Sequence, residues 1–172
     1  MLGKAWFVSH SSAYRYKMSI SVVKLHPDCV AIFNEFKGNA NKPTHDFLTM
    51  KLDGTNIVPD ICPLIGTSSE DDKYKNSEHP AFDYMVDHLL EKGCGYAFYI
   101  FNYDTPNGHR SKIVFYTYVD DNSSPKTKMT ITSSKSAVEK GCPGFGIKIS
   151  ANCRDDLTYE VGLGYCQISK TI

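Results

Sequence analysis

The sequence carries no net charge: 19 Lys and Arg balance 19 Asp and Glu over 172 residues. That balance excludes a long-range field for gathering nucleic acid or an anionic membrane, so either kind of binding needs a local patch. No window approaches 18 uninterrupted apolar residues, and no bilayer-spanning helix is expected. The six cysteines include no CxxC pair, and no histidine stands at zinc-finger spacing. A small secreted scaffold packs its cysteines more densely, so these read as reduced thiols of a cytosolic protein. The six histidines are dispersed without an HExxH pair, and no serine sits in a GxSxG elbow. Gly141–Gly146 (GCPGFG) lacks the GK[ST] that places a phosphate-binding lysine, and reads as a turn. His88 beside Asp87 reads as a surface pair rather than a catalytic dyad. No enzyme, metal site or cofactor is expected.

What remains is ordinary globular composition, 41% hydrophobic and 22% charged, at a length that suits one domain. Residues 1–17 hold no acidic side chain, and the first acid of the chain is Asp28. They read as an extension before a domain spanning 18–172. Pro27 opens a short helix with Val30, Phe33 and Phe36 three apart, and Gly38 stops it. Residues 45–52 and 55–61 suit a hairpin around Asp53-Gly54, and 66–79 reads as a solvated loop. Pro80 opens a second helix with Phe82, Met85, Val86, Leu89 and Leu90 on one stripe, closed by Gly93.

Residues 94–103 (CGYAFYIFNY) and 112–118 (KIVFYTY) read as a central strand pair covered on both faces. Ser124-Pro125 caps a third helix running to about Lys140, with Met129, Ala137 and Val138 as its core candidates. Its Thr130-Ile131-Thr132 run is β-branched and a poor helix former. A strand over 145–150 and a weak helix over 154–166 complete the chain. Strands interleaved with helices argue for an α/β (α+β) fold, a mixed sheet flanked by helices on both faces.

The informative feature is a set of cations on two neighbouring elements. Arg110 and Lys112 flank the start of the second central strand; Lys126, Lys128 and Lys135 lie on the third helix. At helical spacing Lys128, Thr132 and Lys135 share a face, with Met129 and Ser133 a step around it. A helix with so thin an apolar stripe and a face of Lys, Thr, Ser and Met is suited to docking on an acidic protein or phospholipid headgroup.

RSKIVFYTY (110–118), PKTKMTITSSK (125–135) and then Gly141 closely resemble the actin-depolymerising factor/cofilin family. SISVVKLHPDCVAIFNEFK (19–37) and CGYAFYIFNYD (94–104) extend the resemblance over about Met18 to Ser150. The resemblance implies a single monomeric, non-catalytic domain in the cytoplasm that associates with the cytoskeleton. It would bind monomeric and filamentous actin and promote depolymerisation, with phosphoinositides as a competing ligand of the basic surface. The implied monomer-binding residues are Ser21, Lys126, Lys128, Met129, Ser133 and Lys135; Arg110 and Lys112 belong to the filament surface. Two other readings of the same surface are a phosphoinositide-binding adaptor and a filament-side binder that does not depolymerise.

The sequence departs from the family pattern in places. Ile131 stands where the helix motif commonly has Tyr, and Tyr118-Val119-Asp120-Asp121 replaces its Trp-x-Pro-Asp turn. Ser21 aligns with a regulatory serine, where a phosphate would add about two negative charges beside an acidic partner. The last helix offers Arg154 alone against Asp155, Asp156 and Glu160, whereas the family commonly places filament-contacting cations there. Weak severing is the implied consequence.

Overall fold

A computed structural model describes residues 23–38 and 44–168. The expectations for residues 1–17 and for Ser21 fall outside the described residues.

The fold is organised by one long hairpin. β4 (Cys94–Thr105) and β5 (Gly108–Val119) pair antiparallel along their whole length, from Cys94 opposite Val119 to Thr105 opposite Gly108. Aromatic and β-branched side chains alternate to both faces, which suits a strand pair covered on both sides. Tyr96, Phe98, Ile100, Ile113 and Phe115 face one way; Ala97, Phe101, Tyr103, Val114, Tyr116 and Tyr118 face the other.

Around the hairpin stand β1 (Lys24–Leu25), β2 (Phe47–Asp53), β3 (Asn56–Pro59) and β6 (Ile147–Ala151), in the order β1-β3-β2-β4-β5-β6. β1 with β3 and β5 with β6 run parallel, and the other neighbours are antiparallel. α1 (Pro27–Gly38) and α4 (Pro125–Gly141) cover the Tyr96 face, burying Cys29, Phe33 and Phe36 from the first and Ile131 and Val138 from the second. α3 (Pro80–Lys92) and α5 (Tyr159–Ile168) cover the opposite face. The expected mixed sheet with helices on both sides is the one observed.

Local signals act where the sequence places them. Gly54 turns the β2–β3 hairpin at φ 58°, in the left-handed region that a side chain disfavours. Gly93 ends α3 at φ 72°, its N–H reaching the carbonyls of Leu89 and Leu90.

Three expectations need correction. Residues 66–79 are not only solvated loop: Thr67–Glu70 forms a helical turn, α2, and Tyr74 is buried against Tyr84, with ring centroids 5.4 Å apart. The 154–166 helix is split into a 3-10 turn at Arg154–Asp156 and α5, because Leu157 turns inward between them.

His88 and Asp87 are not a surface pair. Successive helix positions point in different directions, and each finds its own partners. Asp87 accepts from Lys73 Nζ at 2.7 Å, Arg154 Nη1 at 2.8 Å and Tyr74 Oη at 3.1 Å, tying the 71–77 segment and the 3-10 turn to α3. His88 Nε2 meets Asp60 Oδ2 at 2.5 Å, while Lys51 Nζ lies 2.7 Å from the other carboxylate oxygen.

Burial pushes the Asp60 carboxyl up, but bonds from Lys51 and His88 outweigh it and hold it below the usual carboxylate range. Asp87 behaves alike, burial being outweighed by Lys73, Arg154 and Tyr74. A depressed carboxyl contributes stability that is complete above the unfolded value of about 3.9 and lost as pH falls through the folded value. The melting temperature is therefore expected to drop below about pH 4, and Asp60→Asn to melt lower at pH 7 with a shallower acid limb. Thermal melts between pH 7 and pH 3 check this.

Candidate functional site

α4 is helical despite its β-branched run because its ends and its inner face are fixed. Ser124 Oγ accepts from the Thr127 N–H at 3.1 Å, and Pro125 supplies a preset first turn. Ile131, Ser134 and Val138 are its buried residues, at i, i+3 and i+7. So thin a stripe is supplemented by a polar anchor from the sheet. Tyr96 Oη donates to the Ile131 carbonyl at 2.7 Å and lies 2.9 Å from Ser134 Oγ, all of it buried. Burial pushes the Tyr96 phenol up to about 12, so it stays protonated and able to donate.

The seating of Ile131 turns Met129 outward. Met129 is 71% exposed and therefore is not the core residue that its place in the apolar pattern suggested. Ala137 is half-buried and Val138 fully buried. Lys126, Met129 and Ser133 lie on the exposed side of the helix, with Lys128 and Lys135 half-buried along its flank. Lys128 Nζ donates to the Asp121 carbonyl at 2.8 Å and stands 3.9 Å from the Asp121 carboxylate. Lys135 Nζ donates to Ser150 Oγ on β6 at 3.0 Å. The five described residues of the expected monomer-binding set thus share one helix, its cations beside an exposed thioether.

Arg110 and Lys112 do not join them. Both lie in step with Val114 and Tyr116, at positions i, i+2, i+4 and i+6 of β5, on the α3–α5 face of the sheet. The single cation cluster expected from sequence is two separate groups, because strand alternation sends these residues away from α4. Arg110 is exposed. Lys112 is half-buried and donates to the Cys166 carbonyl at 2.8 Å, which also accepts from Tyr103 Oη at 2.9 Å. It therefore fastens the end of α5 to the sheet.

The sequence reading missed the outer face of α5. Val161, Tyr165 and Ile168 are exposed at i, i+4 and i+7, and Tyr159–Ile168 contains no Lys or Arg. Their helical spacing was the available signal. Arg154 just before α5 is already paired with Asp87.

The described residues contain no cluster of three or more His, Cys, Asp or Glu able to hold a metal ion, and no helix long and apolar enough to cross a membrane. The thiols of Cys29 and Cys142 are pushed up by burial, to about 11 and about 12, which suits core packing rather than nucleophilic chemistry. Fold and surface together present one anchored helix whose outer side carries Lys126, Met129 and Ser133.

Comparison with known proteins agrees. A family profile described as Cofilin/tropomyosin-type actin-binding protein matches residues 22–166. The cofilin of Schizosaccharomyces pombe is 31% identical over 146 residues, covering 85% of this chain and 96% of that protein. The cofilin of Ogataea parapolymorpha is 33% identical, covering 83% and 91%. Among solved structures, Streptomyces griseoflavus cofilin superposes with TM-score 0.66 at 22% identity, over 83% of this chain and 95% of that one. Human coactosin-like protein superposes at 0.67 and 18%, over 84% and 98%. The chain belongs to the cofilin/actin-depolymerising factor family of actin-binding proteins.

The orientation of α4 has a direct check. Ile131→Ala should destabilise the protein by about 2–4 kcal/mol, as buried large-to-small changes do. Met129→Ala should stay within about 0.5 kcal/mol, as exposed substitutions do. Urea denaturation of the two variants reads the difference.

Proposed function

We propose that this protein binds actin monomers through α4 and filament sides through the Arg110 region, and promotes filament turnover in the cytoplasm without catalysing any reaction itself. The observation that carries the reading is the exposed Met129, flanked by Lys126 and Lys128 on a helix whose inner face is pinned by Tyr96. A polarisable, rotatable thioether fills an irregular apolar cleft, and the lysines complement acidic groups around it. Anchoring the helix beforehand reduces the ordering that binding would otherwise require.

Filament effects follow from differential affinity. A side binder that prefers a twisted filament shifts the filament toward that state, and subunit loss follows. Two observations argue for weak severing: α5 carries no cation, and Arg154 is engaged by Asp87. In place of basic residues α5 offers the filament an apolar stripe, which lacks long-range attraction.

Lys126→Ala combined with Lys128→Ala should weaken binding to monomeric actin by more than about tenfold, with the melting temperature nearly unchanged. Titration against labelled actin monomers measures it, and unchanged affinity would overturn the assigned surface. In single-filament imaging the wild-type protein should accelerate subunit loss at high ratio and break filaments rarely. Frequent breaks at substoichiometric protein would overturn the weak-severing reading. Arg110→Ala should reduce co-sedimentation with filaments more than monomer binding.

A further inference from the structure

We propose that residues 1–17 fold back onto α5 and cover its outer face, with Trp6 seated over Gly164 between Val161 and Ile168. The inference stands apart from the actin-binding reading: α5 lies on the opposite side of the sheet from α4.

The face is apolar without an internal reason. Six large apolar side chains are exposed among the described residues, and three of them, Val161, Tyr165 and Ile168, share one side of α5. Their concentration there marks a contact surface rather than scattered exposure. Gly164 stands in the middle of that side, three residues after Val161 and four before Ile168. A glycine inside a helix costs about 1 kcal/mol relative to alanine. At Gly162 packing explains it, because a Cβ would strike Tyr116 Oη and Phe101. At Gly164 nothing lies within 4 Å of the place a Cβ would take. The missing side chain leaves a notch in an apolar ridge, where a flat ring can lie against the helix backbone.

Charge selects the occupant. Glu78, Asp83, Asp155 and Glu160 line a cavity of about 370 Å³ at the start of α5. Arg154 also lines it, and is already held by Asp87. An acidic partner of the kind proposed for α4 is repelled here, and two copies meeting through this face would set the same acids against one another. The occupant therefore has to be both apolar and basic. Residues 1–17 supply Lys4, Arg15 and Lys17 with no acid, together with Ala5-Trp6-Phe7-Val8, Tyr14 and Tyr16.

The connection is long enough. The described chain starts at Val23, next to β1 on one margin of the sheet, and α5 packs over β4, β5 and β6. Strand spacings of about 4.8 Å put β1 and β6 about 24 Å apart. Residues 9–22 reach up to about 46 Å when extended, which carries Trp6 round the margin to α5. Tethering raises the effective concentration of the segment to the millimolar range, so a contact that is weak between separate molecules is populated within one. Docked there, the segment occupies a face that other chains would otherwise meet.

Trp6 is the only tryptophan, so the tryptophan emission of the full-length chain reads its surroundings alone. The wild-type emission should be blue-shifted from that of the urea-denatured chain, and iodide should quench it several-fold less. Gly164→Leu fills the notch with a better helix former, so it should return emission and quenching to the denatured values while circular dichroism shows the helices intact. Tyr165→Ser with Ile168→Ser, two exposed positions, should do the same by a second route. Lys4→Glu with Arg15→Glu and Lys17→Glu should also expose Trp6, because like charges then meet. Leu64→Ser with Ile65→Ser, at another exposed apolar pair, should change nothing. A wild-type Trp6 as exposed as in urea would overturn the proposal. A blue shift that survives both α5 variants, or that Leu64→Ser with Ile65→Ser removes, would place the tryptophan elsewhere and overturn it too. A blue shift lost on dilution would overturn it in favour of contact between copies.

Discussion

Much of this surface depends on one buried hydroxyl. Tyr96 rises from the centre of the sheet and donates to a main-chain carbonyl of α4 while touching Ser134. A helix that buries three side chains gains little apolar area for its length, and its sequence favours extended structure at three consecutive positions. A directional bond from a rigid strand compensates, because a hydrogen bond fixes rotation about the helix axis where hydrophobic contact alone tolerates slippage. Which residues face outward follows from that rotation. With Ile131 down, Met129 is up.

The same economy explains why the helix is polar. A side chain spent on the core is unavailable for docking, so α4 keeps its inner face narrow and leaves the remainder as Lys, Met, Thr and Ser. The sheet tolerates this because the hairpin supplies its own core on both sides. Phe98 and Phe115 stack with ring centroids 4.9 Å apart beneath α1 and α4, and Phe82 on α3 meets Phe101 and Tyr116 on the other face. The aromatic hairpin carries the core on both faces, and the proposed docking helix is laid across it.

Much of the architecture was legible in the chain. The bounding Pro and Gly residues placed α1, α3 and α4, and the aromatic runs placed β4 to within about two residues, whereas β5 begins at Gly108, four residues before the expected start at Lys112. The motif around Lys126–Lys135 pointed to the family and to the helix proposed as its docking face. What escaped was tertiary in origin. Met129 fits an apolar repeat, but the core needed Ile131, and no local signal ranks the two. Asp87 and His88 are neighbours in sequence whose partners, Arg154 and Asp60, stand 67 and 28 residues away. Lys112 reads as a cation of the filament surface, and its bond to the Cys166 carbonyl is visible only once the α5 terminus is folded against the sheet. The hydroxyl of Thr117 looks unremarkable until burial leaves it without a partner among the described residues.

The margins of the sheet carry a consequence for handling the protein at high concentration. β1 has two residues and β6 five, whereas the twelve-residue aromatic strands β4 and β5 both lie inside. On β6 an outward Lys148 is held by Glu139, so a charge sits on the outermost strand. Short, charged borders are poor templates for another chain's backbone. The segments best suited to amyloid-like stacking are thereby sequestered for as long as the hairpin stays sandwiched, and fibril growth has to await unfolding rather than start from the native rim.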